Sequence, residues 1–94
     1  MMKRDEAWQI LSTQLDNYKR SPCADLRKSI EDVRHYECSL PSGIQYQVDI
    51  EVLWDEKSKG TIRVIGMIDD GGILSSLSPL SSDFIMRPDG SLIK

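Results

Sequence analysis

The chain reads as a single α+β domain: two N-terminal helices followed by an antiparallel meander of four to five strands, with a helix packed on one face. Helical spacing of apolar residues stops near Val33, strict alternation takes over from Ile44 to Trp54, and turn-forming clusters cut the remainder into strand-length pieces. Runs of helix followed by runs of strand favour α+β over an alternating βαβ arrangement.

The first helix rests on Ala7, Trp8, Ile10, Leu11, Leu15 and Tyr18 between Lys3 and Arg20. The spacing 7, 11, 15, 18 lines one helical face, which is the pattern of an amphipathic helix. Ser21 and Pro22 suit an N-cap and first helical position, because proline lacks only an N–H that would be unpaired there. A short second helix is therefore expected, with Ala24, Leu26 and Ile30 inward; Ile30 to Val33 also fits a loop leading into a strand. After Val33 the period becomes two, with Arg34, Tyr36, Cys38 and Leu40 on one side and His35, Glu37 and Ser39 on the other. Pro41, Ser42 and Gly43 supply a reversal.

Ile44, Tyr46, Val48, Ile50, Val52 and Trp54 then share one face of a long second strand, opposite Gln45, Gln47, Asp49 and Glu51. At about 1.5–3 kcal/mol per large buried side chain, exposing that row would cost on the order of 10 kcal/mol, comparable with the stability of a whole domain. A slip by one residue is thereby excluded. Asp55 to Gly60 reads as a hairpin loop into a third strand, Thr61 to Asp69, with Ile62, Val64, Gly66 and Ile68 on the core face. Ile65 and Met67 point the other way, as does Leu53, so the sheet carries a second apolar patch. Asp69 to Gly72 ends that strand. Ile73 to Ser82 reads as a serine and leucine loop that folds back over Leu53, Ile65 and Met67, Asp83 to Met86 as a fourth strand, and Ser91 to Lys94 as a short fifth strand after the Pro88-Asp89-Gly90 turn.

Composition narrows the function classes. Ninety-four residues suffice for one core and leave no room for a second domain. Apolar residues make up 39% and charged residues 29%, the balance of a folded chain. Twelve basic against fifteen acidic side chains give a net charge of -3, which disfavours a nucleic-acid partner. No apolar run approaches the roughly 20 residues that span a bilayer, and Met1 to Arg20 lacks the continuous apolar region of an export signal. No membrane partner and a cytoplasmic address are the expectations. Cys23 and Cys38 are too far apart for a CxxC site and are expected as reduced thiols, with a bridge between them left open.

Motifs for chemistry are sparse, and no cofactor is expected. The glycines match no phosphate-binding spacing, and the serines lack a nucleophile elbow. Asp69 and Asp70, beside Gly71 and Gly72, offer adjacent carboxylates but no EF-hand ladder. A cleft near Asp69, Asp70 and Asp83, with Glu51 or His35 as proton carrier, is the enzymatic, metal-binding or small-ligand alternative. His35 reads as a surface histidine, and Trp8, Tyr18, Tyr46 and Trp54 as core. The favoured expectation is a non-enzymatic interaction module, self-associating or bound to a protein partner, acting through Leu53, Ile65, Met67, Asp69, Asp70 and Asp83 or through open sheet edges.

The strings Ile68-Asp69-Asp70-Gly71-Gly72, Ser78 to Met86 and Pro88-Asp89-Gly90-Ser91, after a strand with Trp54 near its end, resemble a group of short bacterial proteins without assigned activity. The likeness covers the C-terminal half. It implies a bacterial protein in which Pro79 to Ser91 belongs to the folded domain, and it transfers no functional residue.

Overall fold

A computed structural model describes residues 4–41, 43–70 and 80–93. Two helices, α1 (Arg4–Lys19) and α2 (Cys23–Arg27), precede five strands: β1 (Val33–Ser39), β2 (Gln45–Glu56), β3 (Thr61–Asp69), β4 (Leu80–Met86) and β5 (Leu92–Ile93). The strands form one antiparallel sheet in chain order, with β1 at one edge.

Helix α1 follows from the apolar spacing, and its charges suit the macrodipole, with Asp5 and Glu6 in the first turn and Lys19 in the last. Ala7, Leu11 and Leu15 are buried. Trp8, expected in the core, is 37% exposed. It lies about 100° around the helix from Ala7, outside the stripe that meets the sheet.

The second helix is much shorter than the first. It spans five residues, as the short helix expected, and Pro22, extended at φ -60 and ψ 143, is its N-cap rather than its first helical residue. Ser21 instead turns its hydroxyl back to the Asn17 carbonyl at 3.3 Å. Of the two readings of Ile30 to Val33, the loop is the one observed. Ile30 forms an isolated parallel bridge to Val52, and the Glu31 N–H donates to the Val52 carbonyl at 3.0 Å.

The long alternating strand is β2, and its inward row is as the pattern requires. Tyr46, Val48, Ile50 and Val52 are buried, while Ile44 and Trp54 pack half-buried at the ends. The strand runs on to Glu56, past the expected loop start at Asp55, and a register irregularity between Trp54 and Glu56 lets Glu56 meet Thr61. The Thr61 hydroxyl anchors that hairpin by accepting from the Glu56 N–H at 2.9 Å.

Strand β4 begins at Leu80, three residues earlier than the Asp83 start read from sequence. Leu80 pairs with Ile68, and Leu80, Phe84 and Met86 are buried. Ser81 and Ser82 hid this strand because they interrupt the apolar alternation, whereas pairing with β3 satisfies their backbone regardless of side chain. The expected covering loop, for residues 73–79, lies outside the described residues.

Helix α1 crosses the sheet over β3 and β4. Gly66 makes that approach possible: a Cβ there would lie 2.8 Å from Leu11 Cδ1 and 3.1 Å from Leu15 Cδ2. Lys19 closes the far side, 5.7 Å above the Phe84 ring. The helix thus leaves the core side of β1 only partly covered, and Tyr36 and Cys38 are half-buried.

Candidate functional site

Side chains alternate across the strands, so register decides which groups share the face opposite α1. One row runs His35, Asp49, Met67, Ser81 across β1 to β4, the next Val33, Glu51, Ile65, Asp83, and a third Leu53, Arg63, Ile85, Ile93 across β2 to β5. Leu53, Ile65 and Met67 therefore do share one patch, which Ile85 and Ile93 extend. Met67 and Ile93 are each 36% exposed, and Leu53 and Ile65 are half-buried.

Arg63 divides this patch. Its guanidinium donates to Asp83 Oδ2 at 2.9 Å and to Asp55 Oδ1 at 3.3 Å, so Asp83 belongs to a three-membered ion network. Asp69 faces Gln47 while Asp83 faces Ile65. Four residues of β3 separate the two levels, roughly 13 Å at strand rise. The carboxylates expected to form one cleft are thus dispersed. Among the described residues no group of three or more His, Cys, Asp or Glu side chains is placed to hold a metal ion.

His35 sits on the outer face of the edge strand with Nδ1 2.5 Å from Asp49 Oδ1 and Nε2 3.9 Å from Glu37 Oε1. The hydrogen bond to Asp49, then the charges of Asp49, Glu37 and Asp69, raise its pKa above the ordinary 6.5 against a smaller opposing desolvation. The histidine is exposed and faces carboxylates from two other strands. Glu51, the other candidate proton carrier, pairs with Val33 and Ile65 and is not beside it.

On the opposite side, two open clefts lie between α1 and β1. One, of about 230 Å³, is lined by Tyr18, Ser21, Asp25, Arg34 and Tyr36 among others. The other, of about 340 Å³, is more apolar and includes Ile10, Cys38 and Leu40. The Tyr18 and Tyr36 hydroxyls bond at 2.8 Å, and burial together with that bond pushes the Tyr18 phenol up. Cys23 and Cys38 are both free thiols, one buried and the other half-buried.

The edge itself is the most prominent feature. Strand β1 bonds to β2 on one side and, among the described residues, to no strand on the other. In an antiparallel ladder the residues of a strand alternately turn their N–H and C=O toward and away from a given neighbour. Leu40 donates to Ile44 across the pair at 3.3 Å, so Tyr36 and Cys38, in phase with it, bond to β2. Val33, His35, Glu37 and Ser39 direct theirs outward. The meander expected from the sequence already implies that its first and last strands lie at the edges, as β1 and β5 do.

Comparison with known family models, curated proteins and solved structures finds no match for this chain. Among the described residues no helix is long and apolar enough to cross a membrane.

Proposed function

We propose that this chain is a non-enzymatic protein-interaction module of the bacterial cytoplasm that self-associates by adding a strand at β1. The carrying observation is a seven-residue edge strand whose outward backbone groups have no strand partner among the described residues. Such an edge is a template for a further strand, and proteins that do not use one usually shorten, bulge, cover or charge it; β1 carries charge at Arg34, His35 and Glu37, of both signs. Strand β1 is regular in its pairing with β2 and carries Val33 58% exposed. On the outer face Met67 and Ile65 continue the rows of His35 and Val33 beyond Asp49 and Glu51 of β2, and Leu53 adds apolar area one row further along β2. A cytoplasmic address suits the two unbridged thiols.

Sedimentation across a range of concentrations tests this reading, with a dimer expected to grow in as concentration rises. Glu37→Pro removes an outward N–H without touching the ladder to β2, so the fold should persist while the dimer is lost. A native chain that stays monomeric at millimolar concentration, or a Glu37→Pro variant that dimerises like the native protein, would refute it.

A further inference from the structure

Accepting self-association through β1, the charges on that strand select a single register. An added antiparallel copy must bond through Val33, His35, Glu37 and Ser39, and three two-fold arrangements near the strand centre satisfy this. With the axis at His35, histidine faces histidine. With the axis at Glu37, carboxylate faces carboxylate. With the axis at Tyr36, His35 of each copy faces Glu37 of the other, and both contacts join opposite charges when the imidazole is protonated. Like charges directly opposite one another destabilise a strand pair and unlike charges stabilise it, so the third arrangement is favoured over its neighbours.

The surroundings of His35 reinforce that choice. Asp49 on β2 lies 2.5 Å from Nδ1, Glu37 of the same strand 3.9 Å from Nε2, and Asp69 on β3 adds a further negative charge. All three favour imidazolium, which then presents a cation to the partner's glutamate. Glu37 has Gln47 as its neighbour on β2 and accepts a hydrogen bond from Gln45 at 3.2 Å, so no cation on β2 competes for it. At the axis, Tyr36 meets its own copy at a position where strands lie closest, and Arg34 meets Cys38 on the core side.

We infer that two copies join β1 to β1 in antiparallel register about a two-fold axis at Tyr36, merging their five-stranded sheets into one continuous sheet. About eight backbone hydrogen bonds would form, two for each facing pair of outward residues. The partner recognised is therefore a second copy of this chain, selected by reciprocal His35 and Glu37 contacts.

Cysteine crosslinking resolves the register. In a Cys38→Ser background, Tyr36→Cys is expected to form an intermolecular disulfide readily under mild oxidation. His35→Cys and Glu37→Cys should crosslink poorly alone and efficiently when mixed; both positions are exposed, so that arm does not depend on how Tyr36→Cys packs. Glu37→Lys, which places like charges opposite at both contacts, should weaken dimerisation about tenfold or more. Preferential self-crosslinking at 35 or at 37 over the mixture would overturn the register. A dimer in sedimentation that crosslinks at none of these positions would also overturn it while leaving self-association intact, whereas an obligate monomer would remove both.

Discussion

Replacing Gly66 by alanine tests the packing of α1 on the sheet with a single methyl group. The new carbon would sit 2.8 Å from Leu11 Cδ1, 3.1 Å from Leu15 Cδ2 and 3.2 Å from Ile50 Cδ1. All three side chains are buried at 3% exposure or less, so none can swing into solvent to make room. Inserting a methyl into a packed core of this kind costs about 1–3 kcal/mol. The lower entropy of the unfolded alanine chain returns about 0.4–1 kcal/mol. The expected net loss is about 1–2 kcal/mol, or roughly 5–15 °C in Tm for a domain of this length. Urea denaturation at fixed protein concentration measures it, since any dimerisation makes stability concentration-dependent. Leu11→Ala should itself cost about 2–5 kcal/mol, yet it removes the shortest of the three contacts, so Gly66→Ala should cost clearly less in that background. Unchanged or increased stability in Gly66→Ala, or the same cost with and without Leu11, would refute the claim that glycine is there to admit the helix.

Other expectations concern polar contacts. Titration of His35 by NMR should give a pKa above 6.5 that falls in Asp49→Asn, because the hydrogen bond to Asp49 is the largest cause of the rise. A histidine whose folded pKa is raised lends stability that is full below its unfolded value near 6.5 and fades as pH climbs through the folded value; the opposite slope in the native protein relative to His35→Gln would contradict this. Tyr18→Phe and Tyr36→Phe should each cost about 0.5–1.5 kcal/mol, and the double variant less than their sum, since one bond of 2.8 Å joins the two hydroxyls. Strict additivity in denaturation would show that the bond contributes nothing. Gly60 adopts φ +72, a backbone conformation strained for any residue with a Cβ, so Gly60→Ala should lower the denaturation midpoint by the equivalent of about 1–2 kcal/mol. An unchanged midpoint would refute it.

Much of this fold was legible in the residues because burial imposes a period. Ala7, Leu11 and Leu15 marked the buried stripe of α1, and the row from Ile44 to Trp54 marked both the strand and its inward face. The β4 start at Leu80 was obscured by two serines, and the first residue of α2 by a proline that fits a helix entrance at either of two positions. The candidate surface was half legible: alternation placed Leu53, Ile65 and Met67 on one face, but nothing in Asp83 announced that it would pair with Arg63.

What the sequence determined by itself was the fold class, most elements and the face each side chain takes, since these follow from periodicities of local geometry. Tertiary structure alone decided that His35 lies against Asp49 rather than against its chain neighbours only, and that Asp69 and Asp83 stand apart. Those outcomes depend on register between segments distant along the chain. Register is a joint property of two strands and the core they share, and no one segment carries it.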